Sequence, residues 1–118
     1  MDQETYEAIE ESIEHHKENL KILEEGKKNK RKFTKGTQNF LIGEEQGEYQ
    51  RVSFSGSACA LCVTFSNESG CRNCPLILDN DWCDNADSTW NKINNARTII
   101  QAIRAEKAMI KKLESLRE

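Results

Sequence analysis

All five cysteines of this 118-residue chain fall between positions 59 and 83. Two Cys-x-x-Cys pairs, Cys59/Cys62 and Cys71/Cys74, stand eight residues apart, and Cys83 follows after eight more. A Cys-x-x-Cys turn lets two thiolates grip one ion from one side. Two such turns build a tetrahedral four-sulfur site, the geometry of structural zinc. One zinc is therefore expected on Cys59, Cys62, Cys71 and Cys74, with Cys83 as the alternate ligand or as a small buried hydrophobe beside the site. The gap between the pairs is shorter than in common double-knuckle sites. Ser66-Asn67-Glu68-Ser69-Gly70 supplies the turn chemistry to close it. Two rivals share these cysteines. An iron–sulfur cluster also takes four thiolates, but its usual spacings differ. Disulfides would leave one of five cysteines unpaired. Residues 1–26 carry nine acids and no apolar run, unlike a secretory leader. A reducing cytoplasm is the expected setting, and it disfavours disulfides.

A metal staple suits a chain with little to bury. Hydrophobic residues are 36% and charged residues 31% of the total. Such a thin core, in a length that fits one domain (1–118), gains from bound metal. No apolar stretch approaches a membrane span, so no membrane partner is expected. The net charge of −3 hides blocks of opposite sign. Residues 1–26 have nine acids and two bases; residues 27–35 have six bases and no acid. Residues 36–87 have eight acids and two bases; residues 88–118 have three acids and seven bases. This is not the pattern of a generally basic nucleic-acid binder. It reads as segments paired with each other.

The periodicity predicts two long helices. In the first, over residues 1–26, Tyr6, Ile9, Ile13, His16, Leu20 and Leu23 recur at 3-4 spacing, and Gly26 is read as the residue that ends it. His16 inside that stripe, beside His15, is read as a seam histidine rather than a ligand or acid–base group. In the second, over 88–118, capped by Asp87 or Ser88, the stripe is Ala96, Ile99, Ile103, Glu106, Ile110 and Leu113. Opposite net charges and matching seams predict an antiparallel pair. The same helices leave a monomer and a homodimer both open. Between them, residues 27–35 read as a solvated basic linker. Its Lys27, Lys28, Lys30, Arg31, Lys32 and Lys35 are candidate phosphate contacts, with Phe33 available to stack on a base. Phe40-Leu41-Ile42 and Tyr49 to Phe54 flank a five-residue loop with two glycines, which suits a short β-hairpin. Ser57 is read as the cap of a short helix reaching Phe65. Asp79, Asp81, Asp84 and Asp87 lack the glycine and closing Glu of a calcium loop and read as a solvated loop and cap. The expected fold class is thus mainly α, a small α+β protein. A helical hairpin flanks a cysteine-rich segment, 36–87, with its short β-hairpin.

Cys59-Ala60-Leu61-Cys62, an aromatic-bearing loop, Cys71-Arg72-Asn73-Cys74-Pro75 and then Cys83 resemble a family of small, mostly uncharacterised bacteriophage proteins. Their pattern is roughly CPLC…CxGCP…C between helices. Ala60 stands where proline is usual and Asn73 where glycine is usual, and neither change removes a sulfur. The resemblance implies a phage-encoded accessory protein in the cytoplasm of an infected bacterium, and it carries no known reaction and no catalytic residue. The expected role is a non-enzymatic module that binds and modulates a host protein, such as a defence or transcription component. The alternative is a zinc protein that binds nucleic acid or nucleotides, weakly, through residues 27–35 and the last helix. A redox or nuclease activity is the third reading. It lacks the βαβ setting of a thioredoxin-like motif, and both histidines are far from the cysteines in sequence.

Overall fold

The computed structural model describes residues 3–43, 49–54 and 88–117. The elements are α1 (Gln3–Lys28), β1 (Lys32–Gly36), β2 (Asn39–Gly43), β3 (Tyr49–Ser53), α2 (Thr89–Asn94) and α3 (Ile99–Arg117). This is the expected small α+β fold, mainly helical. The cysteines, Ser57 with its expected helix, and the acidic loop Asp79–Asp87 lie outside the described residues. No helix among the described residues is long and apolar enough to cross a membrane.

α1 packs chiefly on α3, and the two run antiparallel. Glu10 near the start of α1 pairs with Arg117 at the end of α3, His16 meets Glu106, and Gly26 lies by Ile99. The buried stripe of α1 contains Ile9, Ile13, His16 and Leu23, as its spacing predicts. It also takes in Ala8, Ser12, Asn19 and Gly26, while Tyr6 is 41% exposed and Leu20 half-buried. A straight helix turns about 20° per heptad away from a strict 3.5-residue repeat. The contact stripe therefore migrates off the line drawn by apolar residues alone. On α3 the buried positions include Ala102, Ile103, Glu106, Met109, Ile110 and Leu113.

Gly26 does not end α1. The helix runs on to Lys28, and Gly26 is there for space: a Cβ at this position would sit 2.5 Å from Ile42 Cγ2 and 3.4 Å from Ile99 Cδ1. The helix stops two residues later, with Lys30 in the left-handed region at φ 54°. The Arg31 N–H donates to the Gly26 carbonyl at 2.9 Å and the Lys30 N–H to that of Lys27 at 3.2 Å. These are the two bonds of a Schellman ending, with a lysine where glycine is usual.

Residues 27–35 are accordingly not a flexible linker. They form the last turn of α1, its cap and most of β1. β1, β2 and β3 make one antiparallel sheet in that order. The expected pairing of the Phe40 and Tyr49–Phe54 segments is present, with Gly43 opposite Tyr49 and Phe40 opposite Val52. β1 is the strand the sequence hid under its charges: Phe33 lies opposite Ile42, and Gly36 opposite Asn39. Phe40, Ile42 and Val52 are fully buried and face the helices; Leu41, Thr34 and Arg51 share the other face. Phe33 stacks on Phe40 at 5.0 Å between centroids, Phe40 on Phe54 at 4.9 Å, and Phe54 meets Trp90 edge-on at 6.0 Å. Phe33 is thus half-buried, packed against the edge of the core on Phe40.

The last helix is broken. Ser88 caps α2, its Oγ accepting from the Asn91 N–H at 3.1 Å. α2 stops at Asn94, and α3 starts afresh after Thr98, whose Oγ1 accepts from the Gln101 N–H at 3.1 Å. The Gln101 side chain accepts in turn from the Arg97 N–H at 2.8 Å. Neither Gly nor Pro causes the break. Asn94 and Asn95 are poor helix residues that compete for backbone bonds, and Thr98-x-x-Gln101 is a start signal of the capping-box kind. The bend lets Ile93 and Ala96 enter the core together. Trp90 Nε1 donates to the Phe54 carbonyl at 2.8 Å, so the points where the chain leaves and rejoins the described fold are clamped side by side.

Candidate functional site

The two seams each contain one ionisable residue, and the antiparallel register brings them together. His16 is 2% and Glu106 0% exposed. His16 Nδ1 donates to Glu106 Oε2 at 2.6 Å, and Asn19 Nδ2 donates to Oε1 at 3.4 Å. Asn19 Nδ2 also donates to the Ser53 carbonyl at 3.0 Å, and His15 Nε2 donates to the same oxygen at 2.8 Å. The 3.5 Å approach of Asn19 Nδ2 to His15 Nε2 is two donors converging on one acceptor, not a bond between them. The network ties α1 to α3 and to the end of β3. Each buried polar group in it finds a partner, which such groups require.

A carboxylate orienting an imidazole is also the arrangement used by metal ligands and general bases. Here the pair is buried between the two helices. No group of three or more His, Cys, Asp or Glu among the described residues is placed to hold a metal ion. His16 is buried in the stripe of α1, the place its spacing predicts. The sequence did not reveal its partners, 90 residues away for Glu106. Asn19 gave no signal at all, since it lies one position off the seam.

Cys59, Cys62, Cys71, Cys74 and Cys83 lie outside the described residues, so the zinc expectation rests on their number and spacing. Of the six candidate phosphate contacts, the fold gathers two. Lys27 and Lys28 join Lys107 around a groove of about 330 Å3 between α1 and α3, lined also by Glu24 and Ile103. Lys30 is exposed at the helix cap. Arg31 donates to Gln50 Oε1 at 3.4 Å. Lys32 and Lys35 are exposed on β1, with Lys32 paired to Gly43 and Lys35 to Phe40. They sit three residues apart on one strand, so they face opposite sides of the sheet. The run that looks like one basic patch in sequence is dispersed in space.

The outer surfaces of the two helices differ sharply. On α1, Glu4, Glu7, Glu11, Glu14 and Glu18 are all exposed and recur at 3-4 spacing. On α3, Arg104, Lys107 and Lys111 are exposed, and the one acid among residues 97–113, Glu106, is buried. Arg117 pairs with Glu10 and lies 3.9 Å from Glu114. Its hydrogen bond to Glu10, and then the charge of that carboxylate, raise its pKa above the ordinary guanidinium value. No family model matches the chain, nor does any curated protein or solved structure.

Proposed function

We propose that this chain is a non-enzymatic interaction module, stapled by one structural zinc on Cys59, Cys62, Cys71 and Cys74 (alternate Cys83), that binds and modulates a host protein as a phage-encoded accessory factor in the bacterial cytoplasm. The observation that carries the binding role is the carboxylate ridge of α1. Its five glutamates, from Glu4 to Glu18, are exposed and extend along about 21 Å of helix at 1.5 Å per residue. One negative charge falls every 5 Å or so along one face of the helix. That array matches a basic groove built for a polyanion, and it adds on-rate and specificity by charge complementarity. The opposite face of the helix is held by the packing of Ile9, Ile13 and Leu23 and by the His16–Glu106 bond. Burial of that histidine and glutamate supports a binding role over catalysis, since they are spent inside the fold.

The test is capture from a bacterial lysate by the zinc-loaded protein, with mass spectrometry of what is retained, in parallel with Glu7→Lys/Glu11→Lys/Glu14→Lys. A discrete protein retained by the native chain and lost with the triple variant is the expected result. Equal retention by both forms would remove the ridge from the mechanism.

A further inference from the structure

We infer that the groove between the end of α1 and the first half of α3, with the basic ridge beside it, is a docking surface for the phosphodiester backbone of double-stranded nucleic acid. Three observations converge. Lys27 and Lys28 from one helix and Lys107 from the other surround a single depression, against one acid, Glu24. Arg104 and Lys111 continue the row on α3: positions 104, 107 and 111 share a helical face, and all three are exposed. Among the described residues none of these three side chains is held in an ion pair. The acid that would neutralise the ridge, Glu106, points inward and is taken up by His16 and Asn19. Tertiary structure therefore makes this face more basic than the sequence of α3 suggests.

The occupant follows from what the groove lacks. A protein interface needs a desolvated core of apolar or aromatic anchors. The groove offers Ile103, only 8% exposed, and beside it one exposed apolar side chain, Ile100 at 46%. Recognition here rests on charge, which is what phosphate contacts supply: they position a duplex without reading its bases. From Arg104 to Lys111 the ridge covers about 10 Å, and Lys27 and Lys28 widen it across the groove. This surface lies apart from the carboxylate ridge of α1. The inference is thus independent of the proposed host-protein partner, and its failure would leave that reading untouched.

The experiment is fluorescence anisotropy of a labelled 20-base-pair duplex with the full-length, zinc-loaded protein, titrated at salt from 20 to 200 mM. Four to five phosphate contacts predict a slope of log K on log salt of about −4, hence a loss of roughly 250-fold between 50 and 200 mM. Lys27→Gln/Lys28→Gln/Lys107→Gln is expected to flatten the slope by about 3 and to weaken binding at least tenfold at 20 mM. Lys32→Gln/Lys35→Gln, on the sheet, is expected to leave both slope and affinity close to native. All five positions are exposed, and circular dichroism checks that the variants fold. Three results would each overturn the inference: no binding at 20 mM, equal binding by the groove triple variant, or tighter binding of a poly-glutamate chain than of the duplex, which would make the groove a site for acidic protein.

Discussion

Replacing Glu106 tests the central packing argument most directly. Glu106→Leu keeps most of the volume but removes both acceptors. It strands the His16 N–H in a site 2% exposed and takes one partner from Asn19, which keeps the Ser53 carbonyl. Each buried donor left without an acceptor costs about 1–3 kcal/mol. A hydrogen bond to a carboxylate adds about 1.5–3 kcal/mol. Glu106→Leu is therefore expected to lose about 3–5 kcal/mol, which for a chain of this size is about 12–20 °C in Tm. His16→Leu should cost a similar amount, since it leaves the carboxylate buried with Asn19 alone. The double variant His16→Leu/Glu106→Leu exchanges the pair for apolar contact between the same helices. Such exchanges are often neutral or better, so it should fall within about 1.5 kcal/mol of native and show a coupling of at least 2 kcal/mol. The assay is urea unfolding of the purified protein followed by circular dichroism at the helical minimum. A Glu106→Leu cost below about 1 kcal/mol, or a double variant as unstable as the sum of the singles, would refute the pairing across the two seams.

Gly26→Ala should destabilise by about 1–2 kcal/mol in thermal melts, because a Cβ would overlap Ile42 Cγ2; overpacking outweighs the roughly 1 kcal/mol that alanine gains in helix propensity. A gain in stability would mean the sheet does not press on α1 there. Thr98→Ala, which removes the cap of α3, should cost about 1 kcal/mol in the same assay, whereas an uninterrupted last helix predicts no loss. Trp90→Phe keeps the ring contact with Phe54 but loses the Nε1–H bond to its carbonyl, and about 1 kcal/mol is expected to go with it. Elemental analysis of the purified chain should find close to one zinc; Cys59→Ser or Cys62→Ser should lose it and Cys83→Ser should keep it, because the binding energy of a structural site is folding energy. Iron in place of zinc, or no metal with intact disulfides, would remove the staple.

Local pattern carries far when one residue type repeats at one spacing. The 3-4 recurrence of Ile9, Ile13 and Leu23, and of Ile103, Ile110 and Leu113, specifies two amphipathic helices with apolar faces to join, and their opposite charges favour a pair. The alternation around Phe40 and Val52 likewise specifies a hairpin. Ser88 as a cap, and the start signal Thr98-x-x-Gln101, are local chemistry written in the chain; the second competes with a longer helical period that reads straight through it. β1 was illegible because Lys32 and Lys35, exposed on an edge strand, outweigh Phe33 in any composition-based reading. Gly26 was ambiguous for a different reason. A glycine near a helix end serves equally as a cap or as a gap for a neighbour, and only the approach of Ile42 from β2 decides which. The same holds for the polar residues in the seams. A histidine in one apolar stripe and a glutamate in the other are visible in sequence, but their meeting depends on the register of two helices that lie far apart along the chain. So does the basicity of α3: a charge faces outward or is consumed inside according to which residue stands opposite, and that is set by tertiary packing alone.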